Sequence, residues 1–216
     1  MPLIIPYAAT ALAERSSQLR PIIQRGGIVA VPTETFYGLG VNPFDEAAVR
    51  RVSAVKGRAK GAPILVLVGT LGELSLFTER VPAAASILIE AFWPGALTIL
   101  FSARASVPSA ITGGTGRVGL RLSSCVPLRE LLERVGPLTG TSANRTGAPP
   151  PRTPQQVQDA LGEEVDAILD AGATPGGLPS TVVEADDGLR IVREGAIPHA
   201  AIEAAVHERG FSLKMT

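Results

Sequence analysis

The stretch that most constrains this chain is residues 28–40, where an apolar run stops at a proline and gives way to a polar, glycine-punctuated loop. Ile28-Val29-Ala30-Val31 has the length and branching of a short strand buried on both faces. Pro32 lacks a backbone donor and biases Val31 towards extended geometry, so the strand is expected to end there. The loop that follows, Thr33-Glu34-Thr35-Phe36-Tyr37-Gly38-Leu39-Gly40, carries hydroxyls, a carboxylate and a phenol before glycines that permit close backbone approach. A rigid sheet ending in such a loop can position binding groups, and a plain polar cap on a strand has the same composition.

Composition decides what kind of body this loop belongs to. With 216 residues and no linker-like segment, one domain with a substantial core is expected. Lys plus Arg and Asp plus Glu balance at 20 each, which argues against a protein held to nucleic acid mainly by counterion release. Hydrophobic residues at 45% and charged residues at 19% exclude a disordered chain. The single cysteine, Cys125, permits no internal disulfide and suits a reducing compartment. No basic segment followed by a long apolar core opens the chain, and the most apolar window, residues 83–101, is interrupted by Glu90 and by Trp93-Pro94-Gly95. A soluble, cytoplasmic protein without a membrane span is the expectation.

Periodicity places the remaining elements. Leu3-Ile4-Ile5 suits an edge strand, and residues 16–25 a short amphipathic helix closed by Gly26-Gly27. Asp45 is a good N-cap, and Val49, Val52 and Val55 recur every three residues, so a helix is predicted that delivers Lys56-Gly57-Arg58 to its C-terminal end. Residues 64–68, 97–101, 165–170, 181–184 and 191–193 read as strands; residues 81–92, 127–135, 155–161 and 198–209 read as helices. Residues 117–122 alternate strictly, which sets Arg117, Gly119 and Arg121 on the face opposite Val118, Leu120 and Leu122. Residues 138–141 lead into a Ser142-Ala143-Asn144 loop, and the proline-rich residues 148–154 form a stiff surface loop beside it. The elements interleave without strict alternation, so the predicted class is α/β, with a twisted mixed parallel and antiparallel sheet, flanking helices and an open cleft.

Several familiar motifs fail on context. Gly114-Thr115-Gly116-Arg117-Val118-Gly119 matches a dinucleotide-binding pattern but leads into an alternating strand rather than a helix. There is no phosphate-binding loop ending in Gly-Lys-Ser/Thr, and Cys125, His199 and His207 have neither zinc-ligand spacing nor a nucleophile–base arrangement. Ser142 is not in a nucleophile elbow. What remains is a set of cations and hydroxyls at loop positions, which suits phosphates and carboxylates and a transfer reaction run by positioning and charge neutralisation. For Lys56 and Arg58 alone, a solvated helix end favourable to the helix dipole is the plainer reading.

Taken in order, the Pro32–Gly40 loop, Lys56-Gly57-Arg58, Ser142-Ala143-Asn144 beside Gly147, Ser180-Thr181-Val182-Val183 and Arg193-Glu194-Gly195-Ala196 resemble the YrdC family of threonylcarbamoyl-AMP synthases. The resemblance covers about residues 18–205 and implies a YrdC-like domain that condenses L-threonine, bicarbonate or carbon dioxide, and ATP to threonylcarbamoyl-AMP and pyrophosphate, for threonylcarbamoyladenosine in tRNA. It further implies threonine contacts at Thr33, Leu65, Arg121, Gly140 and Ser180. ATP contacts are implied at Lys56, Arg58, Lys60, Arg117, Ser142, Asn144, Pro150 and Arg193, with Lys56 and Arg58 the catalytic pair. Magnesium is implied as a passenger on ATP, with no ligands from the protein; tRNA and a threonylcarbamoyl-transferase complex are the implied downstream partners. The chain departs from the common pattern at Ala59, Leu67 and Glu194 and is expected to lack the extra C-terminal domain of longer members, with residues 149–151 the candidate replacement for its lid. Two other readings stand beside this one: an RNA-binding module of the same fold, disfavoured by an aromatic content of 4%, and a related enzyme acting on carbamoyl phosphate.

Overall fold

The apolar run before Pro32 forms a strand at Val29–Val31 with every residue buried. The computed structural model describes residues 1–7, 12–59, 61–186 and 188–213. In chain order its elements are β1 (Leu3–Pro6), α1 (Leu12–Gln24), β2 (Val29–Val31), β3 (Gly38–Gly40), α2 (Glu46–Lys56), β4 (Val66–Val68), α3 (Ala83–Phe92), β5 (Leu97–Ser102), α4 (Ser109–Thr112), β6 (Arg117–Leu122), α5 (Val126–Val135), β7 (Leu138–Thr139), β8 (Thr141–Ser142), α6 (Pro154–Leu161), β9 (Ala167–Asp170), β10 (Thr181–Glu184), β11 (Arg190–Arg193) and α7 (His199–His207). Turns of 3-10 helix lie at Leu71–Leu76 and Gly162–Glu164. Among the described residues no helix is long and apolar enough to cross a membrane.

The mixed α/β class holds, and the strands divide into two sheets. The first runs β1-β9-β2-β3-β8 and the second β11-β10-β5-β6-β4-β7, each with parallel and antiparallel pairs. One segment stitches them together: β7 pairs antiparallel with β4 in the second sheet, and two residues later β8 pairs antiparallel with β3 in the first. The crossing point is Gly140, whose N–H donates to Leu65 O at 2.9 Å. A Cβ there would lie 2.6 Å from Leu67 Cγ and 2.7 Å from Leu65 Cδ1, so the backbone passes too close to β4 for any side chain.

The core follows from strand alternation. One set of faces, with Ala30, Leu39 and Ile168 from the first sheet and Val66, Ile99, Phe101, Val118 and Leu120 from the second, joins α2, α3, α6 and α7 in the larger cluster. The opposite set, with Val29, Val31, Ala167, Leu67 and Leu138, is covered by Leu19, Ile22 and Ile23 of α1 and Leu128, Leu131 and Leu132 of α5. Thr98, Gly119 and Arg121 share the alternate face of the second sheet with Leu67, but none of them joins either apolar cluster. That face carries the site.

Candidate functional site

Helix α2 places the first cation. Asp45 caps its N-terminus by accepting from Ala48 N at 3.0 Å, and Val49, Val52 and Val55 are buried, each worth about 1.5–3 kcal/mol. Gly57 ends the helix in the left-handed region at φ 61°, its N–H bonding Ala54 O, while Arg58 N bonds Ser53 O. Lys56 is therefore held at a fixed helix end, and only 5% of it is exposed. Its Nζ donates to Ser142 O and, at 2.7 Å, to Asn144 O. The loop is also fastened to the helix end through Thr146 N to Lys56 O (2.8 Å) and Arg145 Nη1 to Val55 O (3.1 Å). Arg58 donates to Thr141 Oγ1 at 3.1 Å and to Pro63 O at 3.0 Å. Burial, aided by the Arg58 charge, lowers the Lys56 ammonium from 10.5 to about 8, and burial lowers Arg58 as well.

A second group gathers around Arg121, which β6 carries on the predicted face and which is 4% exposed. Its Nε donates to Gly95 O at 3.3 Å and its Nη2 to Thr35 Oγ1 at 3.4 Å. The same Nη2 lies 2.8 Å from Glu34 Oε1 as an ion pair, an approach in which no well-aligned hydrogen bond forms to that oxygen. Glu34 Oε2 accepts from the Ser123 hydroxyl. Across the sheet the buried Ser180 and Thr98 hydroxyls are 2.9 Å apart, and Arg193 Nη2 donates to Ser180 O at 2.8 Å. Burial lowers the Arg193 guanidinium, and the charge of Arg121 lowers it further, which places the two cations in one field.

These groups share one floor. A Cβ built on Gly119 would lie 3.2 Å from Thr98 Cγ2 and Leu100 Cδ2 and 3.6 Å from Leu65 Cβ, and Leu65 in turn abuts Gly140. With strands about 4.8 Å apart, that floor is roughly 10–15 Å wide, room for an amino acid beside a phosphate chain. The 32–40 loop ties the halves together: Tyr37 O accepts from Ala143 N at 2.8 Å on the Lys56 side, and Thr35 Oγ1 accepts from Arg121 Nη2 at 3.4 Å on the other. Lys56, Arg58, Arg121 and Arg193 thus face a cluster in which, among the described residues, Glu34 is the one bonded carboxylate, a field suited to anions.

Of the residues singled out from sequence, Lys56, Arg58, Leu65, Arg121, Gly140, Ser142, Asn144, Ser180 and Arg193 come together. The solvated-helix-end reading of Lys56 fails, because the ammonium is buried. Pro150 is half-buried on the adjoining rim, next to Pro151, whose carbonyl accepts from Tyr37 N at 3.0 Å. Thr33 is present, but its hydroxyl is used inside its own turn, donating to Phe36 O at 2.7 Å and accepting from Thr35 N and Phe36 N. Arg117 is not brought in: it pairs with Glu184 at 2.7 Å and Asp186 at 3.2 Å, four residues and about 13 Å along β6 from Arg121. Lys60 lies outside the described residues. Sequence reading did not assign Glu34, Thr35, Thr98, Ser123 or Thr141; Thr98 left a signal, a hydroxyl at the alternate position of an apolar strand.

A family model for Sua5/YciO/YrdC, described as telomere recombination, matches residues 21–195. The chain is 35% identical to threonylcarbamoyl-AMP synthase of Pyrococcus abyssi over 86% of this chain and 55% of that protein, so it spans about half the length of that relative. It is 35% identical to the enzyme of the same name from Alkalilimnicola ehrlichii over 82% of this chain and 94% of that one. Among solved structures, P. abyssi Sua5 complexed with L-threonine superposes with a TM-score of 0.89 at 30% identity, covering 99% of this chain and 62% of that one. Escherichia coli YciO superposes with a TM-score of 0.82 at 26% identity, covering 94% and 98%. With the family match running from α1 to Gly195 and so enclosing every described side chain of the cation cluster, the chain belongs to the Sua5/YciO/YrdC family.

Proposed function

We propose that this protein is a nucleotidyltransferase that condenses L-threonine, carbon dioxide or bicarbonate, and ATP into threonylcarbamoyl-AMP and pyrophosphate. The observation that carries the reading is the single floor of Leu65, Gly119 and Gly140, with Lys56 and Arg58 at one side and Arg121, Ser180 and Arg193 at the other. The names of the relatives, and the threonine held by the P. abyssi structure, support it. Arg121 receives the amino acid carboxylate, and Lys56 and Arg58 neutralise the phosphates. The threonine ammonium first loses a proton to solvent; the neutral amine nitrogen then bonds to the carbon of carbon dioxide and releases a second proton to solvent, leaving the carbamate. A carbamate oxygen then attacks the α-phosphorus, and the bond to pyrophosphate breaks. Catalysis of this kind rests on alignment and charge rather than on a covalent enzyme intermediate.

The donors at the site are cations and hydroxyls, with one carboxylate already paired to Arg121, so they do not fit a dedicated magnesium cage. Magnesium is assigned to the triphosphate of ATP, where it would offset phosphate charge. The product serves as donor for threonylcarbamoyladenosine in tRNA, in the cytoplasm, through a separate transferase. The test is incubation with labelled bicarbonate, ATP and L-threonine. Equal amounts of labelled threonylcarbamoyl-AMP and pyrophosphate, both dependent on threonine, are expected. Pyrophosphate release indifferent to threonine, or a product that carries none of the bicarbonate label, would refute the assignment.

A further inference from the structure

The ion pair of Glu34 and Arg121 is joined through one close contact. Each partner is anchored independently of the other: Glu34 Oε2 by the Ser123 hydroxyl, and Arg121 Nε by Gly95 O at 3.3 Å. Ser123 Oγ itself accepts from Cys125 N at 3.2 Å, so its proton is committed to Glu34. The link between them runs through Glu34 Oε1 and Arg121 Nη2, 2.8 Å apart, and among the described residues Oε1 has no other partner. Parting these two atoms leaves each side chain with its own anchor.

We infer that the zwitterion of the amino acid inserts into this pair, its carboxylate onto Arg121 and its ammonium onto Glu34, making Glu34 the residue that selects an α-amino acid over a simple carboxylic acid. The inference rests on the threonine reading above. Insertion replaces one pair of opposite charges by two, with no charge left alone. A monoanion of the same shape takes Arg121 and strands the Glu34 carboxylate beside it, and with the Glu34 side chain only 16% exposed water relieves that cost only in part. The rest of the cluster is cationic, with Arg193 close enough to Arg121 to be felt by it, so an ammonium finds no other charged acceptor among the described residues there.

Calorimetric titration of the full chain with L-threonine and with (R)-3-hydroxybutanoate, which is threonine without its amine, separates this from a supporting role. The wild-type protein is expected to prefer threonine at least tenfold. In Glu34→Gln the threonine Kd rises at least tenfold while that of (R)-3-hydroxybutanoate is unchanged or falls, so the preference collapses. Glu34→Asp, which keeps the charge, retains the preference. If Glu34→Gln weakens both ligands by the same factor, or leaves threonine binding intact, the insertion is refuted. A folded wild-type protein that binds no threonine refutes the functional reading itself, a separate result that also removes this inference.

Discussion

Replacing Lys56 by methionine separates what this residue does for the fold from what it does for a ligand. Its ammonium is buried and lowered from 10.5 to about 8, so the unfolded chain binds the proton more tightly than the folded one. Stability then rises with pH between about 8 and 10.5, and below that window the buried cation weakens the fold. Lys56→Met relieves that burden but leaves Ser142 O and Asn144 O without the donor they share, a loss of about 1–3 kcal/mol for each carbonyl that water does not reach. The two effects oppose each other, and at about 2–4 °C per kcal/mol for a chain of this size the Tm of the free protein should move by no more than about 5 °C. ATP binding has no such compensation. A charge-assisted phosphate contact is worth about 1.5–3 kcal/mol, so the Kd should rise about 10- to 150-fold. At an ATP concentration about 100 times the wild-type Kd, ligand stabilises the wild type by about 2.7 kcal/mol, or about 5–10 °C. With a Kd about 100-fold weaker the gain falls to about 0.4 kcal/mol, near 1 °C. Thermal denaturation of both proteins with and without ATP reads this directly. An ATP-induced shift as large in Lys56→Met as in wild type would refute the phosphate role.

The same titration predicts that ATP affinity, level below about pH 8, declines as pH rises through 8 to 9 and Lys56 loses its proton; fluorescence titration of ATP from pH 6.5 to 9.5 checks it, and a flat profile contradicts it. Gly140→Ala should drive a methyl into Leu65 and Leu67 and cost about 1–3 kcal/mol, a fall in Tm of roughly 3–10 °C by calorimetry. Arg117→Ala, which removes a cation committed to Glu184 and Asp186 at the far end of β6, should leave kcat/KM for ATP within about twofold of wild type in a pyrophosphate-release assay.

The sequence made the local chemistry of several elements legible because one physical cause dominated each. Pro32 stops β2, Asp45 caps α2, and the alternation of residues 117–122 sets Arg121 on the face away from the core. The division into two sheets was not legible, since it depends on a backbone crossing at Gly140 that joins β4 to β3 by pairings distant in sequence. Likewise Gly38–Gly40 reads as loop by composition and becomes β3 because β2 and β8 flank it. At the site, residue types announced an anion-binding cluster, but partners did not. Thr33 spends its hydroxyl on its own turn, and Arg117 spends its charge on Glu184 and Asp186. Glu34 stood in plain view within the loop, and only the contact with Arg121 gives it a purpose.

The central claim is that a nucleotide and an amino acid meet over one floor. A crystal structure with a non-hydrolysable ATP analogue and L-threonine bound together tests it most directly. The phosphates are expected beside Lys56 and Arg58 and the threonine carboxylate on Arg121, with Leu65, Gly119 and Gly140 forming the floor beneath both ligands. Ligands seated on separate faces, or a nucleotide that bypasses Lys56 and Arg58, would contradict it.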